Sequence, residues 1–283
     1  MSEPQPDVPR DSARAVLLQF VVFPLLVVAV GVFVFLLFGA LATERDDIDD
    51  HLAAIRSGSS HRRWQAAYQL AMAIQRGEAV DDPEVATRVL ELYREADDDD
   101  PRVRRYLAMV LGRLGDPRAI PLLLESLEAG DLETRIYAIL ALAEIGDPAA
   151  ADPIAAALAS SDDPDLRKAA AYALGRLGSR AHLPQLRAAL RDPVPDVRFN
   201  AALALAALGD SSGIGVLRRM LDRDELARVP GIREDQKEAI LVQAIPAYAL
   251  LAGEEARPLL ESLASSDPSL KVRAAATEAL NGL

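Results

Sequence analysis

The chain has no cysteine. That excludes disulfide frameworks, thiolate zinc sites, iron–sulfur ligation and cysteine nucleophiles. Histidine is almost as scarce: His51, His61 and His182 are all there is, and no two are neighbours. Aromatic residues are 5% of the chain although 51% is hydrophobic, so the apolar mass is Ala, Leu, Val and Ile. Such small and medium side chains suit closely packed helices. Positive charge is in deficit: 31 Lys and Arg stand against 43 Asp and Glu, for a net charge of −12. A general nucleic-acid binder needs a basic face, so no nucleic-acid partner is expected. There is also no Gly-rich phosphate loop, no G-x-S-x-G turn and no recognisable triad. No cofactor, metal site or catalytic residue is expected, and a non-enzymatic role is favoured.

What is present falls into two parts. Ala15 to Thr43 is 29 residues without a charge. Its core, Val16 to Leu41, would reach about 39 Å as a helix, against roughly 30 Å of bilayer hydrocarbon. Five of the six phenylalanines lie here, with Pro24 and Gly31, which membrane helices tolerate. The expectation is a single-pass transmembrane helix over 15–43, after a short polar tail at 1–14. A cleaved signal peptide is the alternative, because Ala40-Leu41-Ala42 resembles a small-residue cleavage site. The apolar run is, however, about twice the usual signal core of roughly 7–15 residues. Orientation is nearly balanced: Arg10 and Arg14 precede the run, Arg45 and Arg56 follow it. The acidic residues after it tilt the reading slightly towards an extracytoplasmic position for the rest.

The remainder repeats with a period near 31. LGRLGD at 111–116 recurs as LAEIGD at 142–147, LGRLGS at 174–179 and LAALGD at 205–210. The glycines Gly115, Gly146, Gly178 and Gly209 each stand eleven residues after an arginine: Arg104, Arg135, Arg167 and Arg198. A period of this size predicts a solenoid. Apolar residues fall at helical spacing in each unit, as in Val103, Leu107, Val110, Leu111 and Leu114. Glycine then ends a first helix, and Asp-Pro starts a shorter second one.

The phrase D-x-x-V-R-x-x-A-x-x-A-L-G-x-L-G-D resembles the HEAT-like repeat of phycobilin lyases and many bacterial proteins. It is best matched by PDVRFNAALALAALGD at 195–210. The resemblance implies an all-α, right-handed α-solenoid of about six HEAT-like helix pairs plus a half, over 61–283. A linker helix at 44–60 would join it to the anchor. The resemblance implies little about function, because this fold hosts scaffolds, chaperones, lyases and inhibitors. It also implies that the arginines Arg104, Arg135, Arg167, Arg198 and Arg273 bond nearby carbonyls and carboxylates as a structural ladder. Deoxyhypusine hydroxylases, which share the fold, bind iron through His-Glu pairs. Here His51 and His182 precede leucine and His61 precedes arginine, so that ligand set does not carry over.

The repeat breaks between Leu221 and Asp235. The insertion at 222–234 combines Arg223, Arg228 and Arg233 with Leu226, Val229, Pro230 and Ile232. Insertions in solenoids map to loops on one face and often bind, so this loop is the candidate partner site. The second helices, around Leu122–Glu125, Ile154–Ala157 and Gln185–Ala188, are the fallback as the concave lining. The acidic run Asp97–Asp100 reads as a solvated loop. The function expected is a membrane-tethered, non-catalytic scaffold or assembly factor that binds a protein partner at the membrane. A lyase- or hydroxylase-like enzyme on the same fold, or an accessory subunit of a membrane complex, is the alternative.

Overall fold

The structure, a computed structural model, describes Leu25 and residues 28–33, 48–96 and 100–283. The chain divides after Asp50, and the second unit is His51–Leu283. Of the expected span at 15–43, only Leu25 and residues 28–33 are among the described residues. They are helical and exposed, with Leu25 and Phe33 both more than 60% accessible. The rest of that span, the tail at 1–14 and Asp97–Asp99 lie outside the described residues.

Among the described residues there are only helices and turns. They run α1 Ile48–Ser57, α2 Ser60–Gln75, α3 Pro83–Glu95, α4 Pro101–Leu114, α5 Ile120–Ala129, α6 Leu132–Ile145, α7 Ala151–Ser160, α8 Pro164–Arg176, α9 Leu183–Ala189, α10 Pro195–Ala207 and α11 Ile214–Met220. After these come α12 Arg223–Ala227, α13 Glu234–Ala252, α14 Arg257–Ser266 and α15 Leu270–Asn281. The fold is a helical-repeat solenoid.

The punctuation follows the sequence. Gly115 and Gly146 close α4 and α6 with φ of +67° and +80°, the left-handed conformation that a side chain resists. Asp116 and Asp147 then accept the N–H two residues on and start a single 3-10 turn, Pro117–Ala119 or Pro148–Ala150, before the short helix. Asp131 caps α6 by accepting from the N–H groups of Glu133 and Thr134.

The core is the expected face. Val103, Leu107, Leu111, Leu142, Leu166, Leu174, Val197 and Leu205 are all fully buried. Alanines fill the gaps between helices, and two glycines bring backbones into contact. A Cβ on Gly112 would lie 2.8 Å from the Cα of Ala141, and one on Gly175 would lie 2.8 Å from the Cα of Ala204. So α4 touches α6, and α8 touches α10.

Two expectations change here. The short helices pack chiefly on the long helix that follows them, α5 on α6, α7 on α8 and α14 on α15, rather than on the long helix before the glycine. The physical pair is therefore short then long, and α15 completes the last pair instead of standing as a half repeat. Second, it is the long helices that stack edge to edge, while the short ones meet each other little. A two-layer stack curves towards its pinched layer, so α2, α4, α6, α8 and α10 line the inner side. Leu122–Glu125, Ile154–Ala157 and Gln185–Ala188 belong to the outer layer.

The stretch Glu234–Ser266 has the length and apolar composition of a membrane span. It is broken by the 3-10 turn Gly253–Ala256, and it buries Leu241, Ala244, Ile245 and Leu260 against the neighbouring repeats. Its apolar character serves the solenoid core.

Candidate functional site

The arginine column lies along the inter-repeat turns. Arg104 donates to the Ser126 hydroxyl at 3.1 Å, and its guanidinium lies 4.8 Å from the centre of the Tyr93 ring. The Tyr93 hydroxyl meets the same Ser126 Oγ at 2.7 Å. Arg135 donates Nε–H to the Leu127 carbonyl at 2.8 Å. Arg167 donates from Nη1 to the carbonyls of Ser161 and Asp162, and with two further N–H groups holds the Asp192 carboxylate at 2.7 and 3.0 Å. Arg198 donates to the carbonyls of Asp192 and Pro193. Arg135, Arg167 and Arg198 each bond a carbonyl shortly ahead of their own helix, whereas Arg104 and Arg167 reach forward to the next repeat, at Ser126 and Asp192. Burial pushes the Asp192 carboxyl up, but the Arg167 bonds, the Val194 N–H and two arginine charges leave it below the usual carboxylate value. Arg273 contributes charge towards Asp267.

The insertion divides into two parts. Asp222 caps the one-turn helix α12, in which Leu226 is buried. Arg223 forms a two-pronged pair with Asp267, both contacts at 2.8 Å. The Asp267 side chain is 2% exposed, so this arginine is committed inside the fold. Arg228 pairs with Glu225 and Arg233 with Asp235, both on the surface. Val229, Pro230 and Ile232 form one wall of a cleft of about 330 Å³. Phe199, Asn200 and Leu203 of α10 and Gln236, Ile240 and Gln243 of α13 line the other sides, with Lys168 of α8.

The three histidines sit on separate elements: α1, α2 and the turn before α9. His182 occupies the register where other repeats hold buried Ala119, Ala150 and Gly213. Its Nε2 lies 2.9 Å from Asp152, and its Nδ1 lies 2.6 Å from the Ser179 hydroxyl. Among the described residues no group of three His, Asp or Glu side chains converges as a metal site would require.

Sequence reasoning passed over the inner face. Five residues after the repeat arginine come Met109, Leu140, Tyr172 and Leu203; five after Arg63 of α2 comes Tyr68. These five side chains are exposed or half-exposed, with Tyr68 and Leu140 at 39% and Tyr172 at 45%. They form one apolar residue per repeat across α2, α4, α6, α8 and α10. Grooves run between them. One of about 370 Å³ is lined by Met109, Tyr137, Leu140, Glu144, Tyr172 and Arg176, among others. Another shares Leu140 and Tyr172 and reaches Lys168 and Asn200, which also line the cleft at the insertion. The strip is thus continuous from α4 to the loop at 229–232.

At the first-repeat end the strip turns aromatic. Tyr68 and Tyr106 meet edge to face at 5.3 Å between ring centres. The Arg102 guanidinium lies 4.4 Å over the ring of Trp64, the only tryptophan in the chain. Registering the repeats on their arginines and reading across at the fifth residue would have found this strip.

The class defined by this architecture is an all-helical repeat solenoid. Residues 89–173 and 151–229 match the family described as HEAT repeats, so the chain carries HEAT repeats over that region. Among solved structures it is similar to the complex of CpcE and CpcF of phycocyanin lyase from Nostoc sp. PCC7120. That likeness has 20% identity over 83% of this chain and 94% of that chain, with a TM-score of 0.57. A designed armadillo repeat protein is similar at 17% identity over 84% and 100%, with a TM-score of 0.41. Human deoxyhypusine hydroxylase in complex with glycerol is similar at 19% identity over 86% and 97%, with a TM-score of 0.33. The likeness to the CpcE–CpcF complex speaks to the fold alone. No curated protein matches the chain.

Proposed function

We propose that this protein is a membrane-tethered, non-catalytic scaffold that grips a protein partner along the inner layer of its repeats. The observation that carries the reading is the strip of five exposed or half-exposed apolar side chains at one register, ending at Tyr68 beside Trp64, Tyr106 and Arg102. Trp, Tyr and Arg are the residues in which binding energy concentrates at protein interfaces. Contiguous exposed apolar surface is uncommon on a monomer and marks interaction sites. Val229, Pro230 and Ile232 extend the same surface, so the insertion joins the partner site by its apolar half. The tether in this reading is the apolar run 16–41, with the repeats on the extracytoplasmic side.

The test is a photo-reactive residue placed at Leu140 in one strain and at Glu125 of the outer layer in another. After irradiation of native membranes, one discrete adduct from position 140 and none from 125 is expected. Equal labelling from both positions would remove the inner face as the site. Carbonate extraction should leave the chain in the membrane pellet. Metal analysis and an ultraviolet–visible spectrum of the purified protein address the enzymatic alternative: stoichiometric iron or a bound chromophore would end the scaffold reading.

A further inference from the structure

Two of the contacts between successive long helices are closed by glycine. Gly112 and Gly175 stand eight residues after Arg104 and Arg167, and each brings its backbone against an alanine of the next long helix. At the same register α6 carries Ala143. Its methyl group occupies the space that the seams on either side give to backbone, so α6 and α8 cannot close as the glycine seams do.

Side-chain links follow the same division. Arg102 lies over Trp64 between α4 and α2. Arg105 holds Asp131 and Glu133 between the α4 and α6 repeats. Arg167 holds Asp192, and His182 meets Asp152, between the α8 and α10 repeats. Arg187 pairs with Asp210 at the next seam, and Lys271 with Glu238 between α15 and α13. Among the described residues, no side-chain hydrogen bond or ion pair joins the repeat of α5 and α6 to that of α7 and α8. The reason can be read at one position. Asp192 stands six residues before Arg198 and takes the guanidinium of Arg167 from the repeat before. Six residues before Arg167 stands Ser161, which is neutral and short. It offers no carboxylate to Arg135, which bonds the Leu127 carbonyl of its own repeat.

Grooves of the inner face open along this same seam. In the one of about 370 Å³, Tyr137, Leu140 and Glu144 of α6 stand with Tyr172 and Arg176 of α8. The second again has Leu140 on one helix and Tyr172 on the other. Packed helices slide and tilt most readily where side chain meets side chain and no directional bond fixes them.

We propose that the solenoid flexes at the α6–α8 seam. The repeats up to α6 form one stiff block and those from α7 onward a second, and their relative tilt widens or narrows the groove between Leu140 and Tyr172. Glu144 and Arg176 line that groove from its two helices, so closure brings opposite charges together. The flexure belongs to the chain alone and does not rest on the partner reading above.

The chain has no cysteine, so introduced cysteines take nitroxide labels at defined places. Glu125, Ala156, Ala188 and Arg219 stand at one register of α5, α7, α9 and α11, and all four are exposed. The pair Glu125→Cys with Ala188→Cys spans two repeats and crosses the seam. The pair Ala156→Cys with Arg219→Cys also spans two repeats and does not cross it. Neighbouring helices pack about 8–10 Å apart, which puts both pairs near 20 Å, within reach of pulsed dipolar spectroscopy. The test uses the full chain in detergent micelles, with circular dichroism confirming that each variant is folded. The distance distribution of 125–188 is expected to be at least twice as broad as that of 156–219. Ser161→Asp supplies the carboxylate that Arg135 lacks and should narrow 125–188 about twofold. Asp192→Asn removes the link at the neighbouring seam and should broaden 156–219. Equal widths for the two pairs in the parent chain overturn the proposal, and so do widths that neither Ser161→Asp narrows nor Asp192→Asn broadens.

Discussion

Arg223 and Asp267, forty-four residues apart, form a two-pronged ion pair with both contacts at 2.8 Å, and the carboxylate is almost wholly withdrawn from water. The pair ties the start of the insertion to the turn before the last helix. Burial raises the Asp267 carboxyl, but the Arg223 bonds, the Ser269 N–H and nearby arginine charge leave it below its usual value. Removing one partner leaves a buried charge without compensation. Arg223→Ala should therefore cost about 3 kcal/mol in urea denaturation. Arg223→Ala with Asp267→Ala should cost less than the two single changes added together. A loss under half a kcal/mol in the single Arg223→Ala variant would show that the carboxylate finds water.

Backbone contact between repeats gives a sharper test. Gly175→Ala places a methyl 2.8 Å from the Cα of Ala204, backbone that cannot swing aside. The two helices must separate, at a cost of about 1–3 kcal/mol. Gly215→Ala, in a short helix with nothing within 4 Å, should gain about 0.5–1 kcal/mol from helix propensity. Opposite signs in thermal unfolding are expected, and a gain at Gly175 would mean that the layer is loosely stacked.

The buried face and the exposed strip should behave differently under substitution. Leu142 and Leu174 are fully buried, so replacing either with Ala should cost about 2–5 kcal/mol. Leu140, one helix face away, is 39% exposed. Leu140→Asp should change stability by no more than about 0.5 kcal/mol, the usual range for a surface site. It should nevertheless abolish partner capture. Chemical denaturation paired with pull-down by the cross-linked partner separates the two effects.

Acid should unfold the repeats through their capping aspartates. Arg187 and Ser212 hydrogen bonds hold the Asp210 carboxyl at about 2, below its ordinary 3.8. A carboxyl whose folded value lies below its unfolded one stabilises the fold fully above the unfolded value. That contribution fades as pH falls from 3.8 towards 2. Asp210→Asn should flatten this part of the stability curve and leave its shape above pH 5 unchanged. A variant with the same acid slope as the parent would place the effect in Asp116, Asp131 or Asp192, whose carboxyls are also lowered.

Much of this was legible in the residues. The spacing of Gly115, Gly146, Gly178 and Gly209, at 31, 32 and 31 residues, with an aspartate or serine after each, set helix ends and starts, because a positive φ and a polar cap are local demands that short segments settle for themselves. The fully buried Leu107, Leu142 and Leu174 could be read from helical spacing alone. The arginine ladder was visible as a column, although its acceptors were not: that Arg167 reaches Asp192 and that Arg223 reaches Asp267 depends on how far successive repeats rotate.

The sequence by itself determined a helical solenoid, its punctuation and its buried face, since each depends on contacts within about one repeat. It left open which layer faces inward, because both helices of a pair bury one side and expose the other. Only the tertiary structure decided that, through the contacts of Gly112 with Ala141 and Gly175 with Ala204, which pinch the long helices together. The same stacking turned scattered residues into a surface. Tyr68, Met109, Leu140, Tyr172 and Leu203 are unremarkable one at a time, and become a continuous strip only when neighbouring repeats set them side by side.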